Sequence, residues 1–183
     1  THPLIIAVAL LGLLLHFIDF ASVFGFIPVY AAGIGASSAQ LGIITMLTLS
    51  ASGIAALITA HLSNRWSYPG IMLAGSLLMG VTLMVIPFIG KVAVLATVQT
   101  FNGIGRGMLS TILMTLSFRA VAPQQQATAM GIYQAIYAIG MLLGPLLSGF
   151  LANNLGLANI FYLCAFLCLV VAGMSRLPVM PKH

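Results

Sequence analysis

The chain has 183 residues, 61% of them hydrophobic and 4% charged, with a net charge of +5. Ordinary soluble domains carry about 25% charged residues, so this composition excludes a soluble globular domain for want of polar surface. The basic residues are scattered singly, which excludes the basic stripe of a nucleic-acid binder, and the start at Thr1 without an initiator Met predicts a fragment, or a processed or split product.

A helix that spans a bilayer needs about 20 apolar residues. Six such runs follow one another: 4–30, 38–60, 70–89, 92–118, 124–152 and 157–175. They are too long and too numerous for a signal peptide. Their short connections force neighbouring spans to run antiparallel. Ser37 with Gln40 predicts a capping box at the start of span two, Pro123 suits the first turn of span five, and Asn153–Gly156 reads as the turn that leaves it. From Pro178 onward the chain is too polar and Pro-broken to continue a helix, so 178–183 is expected to be a cytoplasmic tail.

Arg65, Arg119, Arg176 and Lys182 fall in places that share one side of a six-span bundle, and Lys91 alone falls on the other. The positive-inside rule then puts both termini in the cytoplasm, with Trp66 and Tyr68 in an interfacial belt. The predicted fold is an all-α membrane protein of six transmembrane helices. It forms a single domain over 1–183, with three-helix units at about 1–90 and 91–177.

Charges at mid-membrane depth cost roughly 2.5–3.5 kcal/mol each on insertion scales, so they mark a site by default. The one acidic residue, Asp19, lies inside span one, and Arg106 lies inside span four. At 1.5 Å per residue both fall within about 4 Å of the centres of their spans, which predicts a salt bridge, with His16 beside it. A purely structural ion pair is the plain alternative. Buried pairs are weak evidence for stability, because desolvation can exceed the Coulomb gain, which favours a working role.

Polar residues form stripes on four spans; on span one, His16 and Asp19 are three apart and share a face. Gln99, Asn102, Arg106 and Ser110 recur at three, four and four, hence on one face of span four. Thr45, Thr48 and Ser52 repeat on span two, and Tyr133, Gln134, Tyr137 and Ser148 on span five. Spans one and four are expected to line a polar space, two and five to make contacts, and three and six to face lipid. The bland readings are back-bonding of Ser and Thr to their own helix and close helix packing at the Gly103/Gly107 and Gly140/Gly144 spacings. Cys164 and Cys168, four apart with no further ligand nearby, read as small packing residues. No metal site and no cofactor is expected.

AQLGI (Ala39–Ile43) and TAMGI (Thr128–Ile132) open spans two and five, and Asp19 and Arg106 precede their glycines by similar distances. Internal repeats with the site between them are a habit of secondary transporters. Three segments carry a resemblance to one half of a major facilitator superfamily transporter, over essentially the whole chain. AHLSNRWSYPG (Ala60–Gly70) is similar to a degraded form of the family's loop between its second and third helices. Leu62 and Arg65 match, while Asn64 replaces the acid. FNGIGRGM (Phe101–Met108) resembles the fourth-helix glycine motif, with Gln99 where that motif often has Arg and Arg106 as an addition. GMLLGPLLSG (Gly140–Gly149) resembles the fifth-helix motif, with Ser148 in place of one Gly.

The degraded loop points to the C-terminal half. The resemblance implies about twelve helices in the family, with the first and fourth of each half lining the cavity and the second and fifth meeting the other half. The expected function is therefore half of a secondary active transporter, not an enzyme, moving a small solute by alternating access in proton-coupled efflux or exchange. Asp19, His16 and Arg106 would couple protons. Gln99, Asn102, Arg106, Ser110, Tyr133, Gln134 and Tyr137 would line the cavity. Thr45, Thr48, Ser52, Gly140 and Gly144 would meet a complementary six-helix half or a second copy. The setting would be a lipid bilayer, the bacterial inner membrane. A non-transporting scaffold on the same fold is the alternative. An intramembrane protease is a minor one, because SASG (Ser50–Gly53) matches its nucleophile turn only loosely and the last three spans lack a His.

Overall fold

The computed structural model describes residues 3–119 and 121–176. Among these there are helices and turns but no strands. The main helices are α1 (Pro3–Ala21), α2 (Ile27–Gly33), α3 (Ser38–Leu62), α4 (Tyr68–Val85), α5 (Val92–Arg119), α6 (Gln126–Leu155) and α7 (Leu157–Met174). The first two are one span, joined by a π-helical turn, Ser22–Phe26, so the six expected runs are the six helical spans. The expected tail, 178–183, lies outside the described residues.

The sequence signals at the helix ends act as read. The Gln40 backbone N–H donates to Ser37 Oγ at 3.3 Å, and the Ser37 N–H donates to Gln40 Oε1 at 2.8 Å, closing the capping box. Pro123 opens a single 3-10 turn ahead of α6. Ser67 caps α4, accepting from the Gly70 N–H, a signal that hydropathy alone does not carry. The turn expected over Asn153–Gly156 shrinks to Gly156, whose φ of +88° only glycine adopts without strain; the residues before it stay helical.

Five spans are long and apolar enough to cross a membrane by length and composition. α5 is not among them. Its 28 residues suffice in length, but the glycines and the stripe of Gln99, Asn102 and Arg106 dilute its apolarity. Such a helix is tolerated at membrane depth where neighbours cover its polar face, and α5 packs on α3 on one side and α4 on another, with α1 and α6 also touching it. α1 packs chiefly on α6, and α4 also packs on α7. Exchanging the first three spans for the last three turns the α1–α6 pair into the α5–α3 pair.

Small residues set both pairs. A Cβ on Gly103 would run into the Thr48 carbonyl oxygen, and one on Gly107 into that of Ser52, so α3 and α5 meet backbone to backbone. Gly140 and Gly144 stand in the same relation to Leu13 and Phe17 on α1. This is the close approach that small-xxx-small spacing permits.

α4 and α7 each bury one face and expose the other: Ile71, Met72, Met79, Leu83, Ile160, Phe161 and Cys164 are fully buried, while Leu77, Val81, Met84, Phe166 and Leu169 are exposed. Half of the most apolar stretch of α4 is buried, against 22% for α3 and 17% for the span that contains α6. A fourth span facing α4 needs apolar cover on that side, and α4 supplies it. α3 and α6 leave the larger share of their surface open, with Leu57, Ile58, Leu142 and Leu146 all more than half exposed.

Candidate functional site

Asp19 and Arg106 form an ion pair between α1 and α5, the Arg106 Nε–H donating to Asp19 Oδ2 at 2.7 Å. The similar depths of the two charges in their spans predict this pairing. The pair is lopsided: the carboxylate side chain is 2% exposed and the guanidinium side chain 20%. Asp19 Oδ1 is buried without a hydrogen-bond partner among the described residues.

Three residues beyond Asp19 the helix widens into the π turn. Pro28 lacks an N–H, and its ring would strike the Phe24 carbonyl in a straight α-helix. The Ile27 N–H reaches back to the Ser22 carbonyl instead, a five-residue step. Gly25 is required there, because a Cβ would lie 2.7 Å from the Phe20 oxygen. Single π turns inside α-helices occur frequently at functional sites. This one carries Phe24 to Arg106, whose guanidinium carbon lies 5.2 Å from the ring centroid. Sequence reading missed both the turn and Phe24; Gly25 and Pro28 close behind Asp19 were the available signal.

On the other side, His16 is half-buried one turn before Asp19. Its Nδ1 lies 2.9 Å from the Gly12 carbonyl oxygen, the geometry of an Nδ1–H donor, and Nε2 has no hydrogen-bond partner among the described residues. Tyr137 on α6 stacks on the imidazole, and Tyr133 meets Tyr137 edge-on at 5.2 Å. α1, α5 and α6 thus bring Asp19, His16, Arg106 and Tyr137 together.

The remaining expected cavity residues divide. Gln99 and Asn102 are fully buried, not on an open wall, which corrects their placement. Asn102 Nδ2 donates to Thr82 Oγ1 on α4 at 2.9 Å, and both polar atoms of Gln99 lack a partner among the described residues. The physical reason is that α5 is covered by α3 and α4 at this level, and Asn102 meets Thr82 of α4 there. Tyr133 is also buried, against Gly12. Ser110 is half-buried and bonds the Gly107 carbonyl of its own helix. Gln134 is exposed.

The expected half–half contacts are corrected as well. Gly140 and Gly144 are covered by α1, and Thr48 is buried against α5, with its hydroxyl bonded to the Ile44 carbonyl. Ser52 is half-buried, its carbonyl against Gly107. Thr45 alone of the set is exposed, and its hydroxyl donates to the Leu41 carbonyl. The faces turned outward on α3 and α6 are apolar rather than polar.

Arg119, at the end of α5, lies over the ring of Tyr68, at 5.5 Å from its centroid, and covers it. Tyr68 is buried, while Trp66 is exposed. The contact places the Arg65 loop and the end of α5 at one end of the bundle.

A family model described as Major Facilitator Superfamily matches residues 9–183. The chain belongs to that superfamily. It is 26% identical over 148 residues to an uncharacterized MFS-type transporter of Methanocaldococcus jannaschii, covering 80% of this chain and 38% of the relative. It is 29% identical over 148 residues to a multi-drug resistance efflux pump PmrA homolog of Lactococcus lactis, covering 78% and 36%. It is 25% identical over 169 residues to the proton-coupled antiporter flippase LtaA of Staphylococcus aureus, covering 88% and 42%. The chain thus spans about two fifths of the length of these relatives. Family and apolar helices together make it a multi-pass integral membrane protein.

Proposed function

We propose that this chain is one half, the C-terminal one, of a secondary transporter that moves a small solute by alternating access. Its two three-helix units act as repeats, and both termini lie in the cytoplasm of a bacterial inner membrane. The transport is coupled to protons, in efflux or exchange, and Asp19 is the carrier. The relatives named as efflux pumps and as a proton-coupled antiporter support a transporter rather than an enzyme.

The observation that carries the reading is the lopsided ion pair. A carboxylate shut away behind a partly open guanidinium is held ionised while the pair stands. It is left without a counter-charge when a rocking motion parts α1 from α5, and a buried unpaired carboxylate then takes up a proton in preference to staying charged. His16, with Nε2 unpartnered among the described residues, stands where it can pass that proton. The exposed apolar faces of α3 and α6 are the surface for the complementary half. A second copy is the other candidate partner, because the same faces would be left open on each.

The test is transport in proteoliposomes that hold the chain with a complementary half. A proton gradient should drive movement of a transported solute, and Asp19→Asn should abolish the dependence on that gradient while leaving the protein folded. Unchanged pH dependence in Asp19→Asn would make Asp19 structural and end the proton-carrier reading.

A further inference from the structure

The proposed function leaves open what the solute is. We infer that the site takes the headgroup of an anionic amphiphile, a phosphate or carboxylate on an apolar chain. The headgroup sits on the free edge of Arg106 and the start of the chain lies against Phe24. The inference rests on the transporter reading for its biological setting, but not for its chemistry.

Four observations point this way. The accessible member of the ion pair is the cation: the Arg106 side chain is 20% exposed and that of Asp19 is 2%. A solute entering from the open side meets positive charge first. Second, Arg106 gives only its Nε–H to Asp19. Its two Nη groups, with four N–H donors in one plane, make no hydrogen bond to any other described residue, and that planar edge is the geometry that binds carboxylate and phosphate oxygens in pairs.

Third, within this chain no second acid competes for that edge, because Asp19 is the sole Asp or Glu of the 183 residues. Fourth, the neighbouring wall is apolar and open. The Phe24 ring, 39% exposed, lies beside the guanidinium and is followed by Phe20, whose ring centroid is 5.1 Å away. The π turn sets Phe24 in that position. A bare anion would use the Arg106 edge and leave these rings idle, whereas an amphiphile uses both.

The test is binding to the full chain in maltoside micelles, by titration calorimetry. Three probes are compared: dodecyl phosphate, dodecyltrimethylammonium and inorganic phosphate. Dodecyl phosphate should bind at least about tenfold more tightly than the ammonium probe of equal chain length, as one charge-assisted paired contact predicts. Inorganic phosphate should bind more weakly than dodecyl phosphate, and Phe24→Ala should narrow that gap by weakening dodecyl phosphate more than inorganic phosphate.

Arg106→Gln alone strands a buried carboxylate and threatens the fold, so the charge is removed with Asp19→Asn/Arg106→Gln, which leaves no unpaired charge. That double variant should bind the two dodecyl probes alike. Equal binding of the two dodecyl probes by the unaltered chain, or a surviving preference for phosphate in the double variant, overturns the inference. Inorganic phosphate bound as tightly as dodecyl phosphate overturns the amphiphile. None of these outcomes depends on a proton gradient. The inference therefore stands or falls apart from the transport test of Asp19→Asn.

Discussion

The phenol ring of Tyr137 lies flat on the imidazole of His16, with ring centroids 3.9 Å apart and planes inclined by 8°. The stack joins α6 to α1 one turn below Asp19 and fixes the imidazole plane, while the Gly12 carbonyl holds its Nδ1. A residue placed so firmly serves packing, proton transfer or both, and an isosteric ring separates them. His16→Phe keeps an aromatic face for Tyr137 and removes the titrating nitrogens. Aromatic pairs contribute about 0.5–1.5 kcal/mol beyond burial. The melting temperature of His16→Phe should therefore stay close to that of the parent, and that of His16→Ala should fall. If His16 passes protons, the pH profile of transport shifts in His16→Phe as well; an unchanged profile reduces its role to the stack.

The ion pair makes a prediction about stability in which order matters. Arg106→Ala leaves Asp19 buried with neither of its oxygens bonded, at a cost of about 3–5 kcal/mol if the carboxylate stays charged. Asp19→Asn should cost less, because the amide keeps the shape and the remaining guanidinium is partly open. Asp19→Asn/Arg106→Ala should be more stable than Arg106→Ala alone. Thermal unfolding of the three variants in one detergent measures this. A double variant less stable than Arg106→Ala would mean that the pair is held by packing rather than by charge.

Glycine substitutions should split by location. Gly140→Ala drives a Cβ into the Leu13 carbonyl, and overpacking of that kind costs about 1–3 kcal/mol. Gly131 lies on the same helix with nothing within 4 Å of an added Cβ. Gly131→Ala should be neutral or stabilising by about 0.4–1 kcal/mol, through the loss of backbone freedom in the unfolded chain. Comparable losses at both positions would rule out close α1–α6 packing as the reason for Gly140.

The partner surface is open to chemical mapping. Single cysteines at Leu57 on α3 and Leu142 on α6, both more than two-thirds exposed, should cross-link to a co-expressed complementary half or to a second copy. A cysteine at Val81 on α4, also exposed, should not. Cys164 and Cys168 are buried and leave a low background. Cross-linking through Val81 in preference to Leu57 and Leu142 would move the interface to α4.

The six helical spans, the capping box at Ser37 and the pairing of Asp19 with Arg106 were all legible in the chain. Each depends on local chemistry or on depth. A run of apolar residues must be helical in lipid to satisfy its own backbone, and two opposite charges at one depth have every reason to meet. The direction in which a helix turns its stripe is a different matter. Gln99 and Asn102 share a face with Arg106 in sequence, yet they are fully buried, Asn102 against Thr82 of α4, while the Arg106 side chain stays partly exposed. Periodicity tells which residues share a face but not what that face meets.

The same limit explains the glycines. The Gly140 and Gly144 spacing announces a close contact, and only the packing of α6 on α1, where Gly140 meets Leu13 and Gly144 meets Phe17 from far along the chain, decides that the contact is internal. The sequence by itself determined an integral membrane bundle with an ion pair at its centre, because hydropathy, length and depth act along one helix at a time. Tertiary structure decided which member of the pair is reached from outside, that Phe24 comes to stand over Arg106, and which faces of α3 and α6 remain uncovered. Those outcomes depend on how helices rotate against one another, and that rotation is set by backbone contacts between residues far apart in the chain.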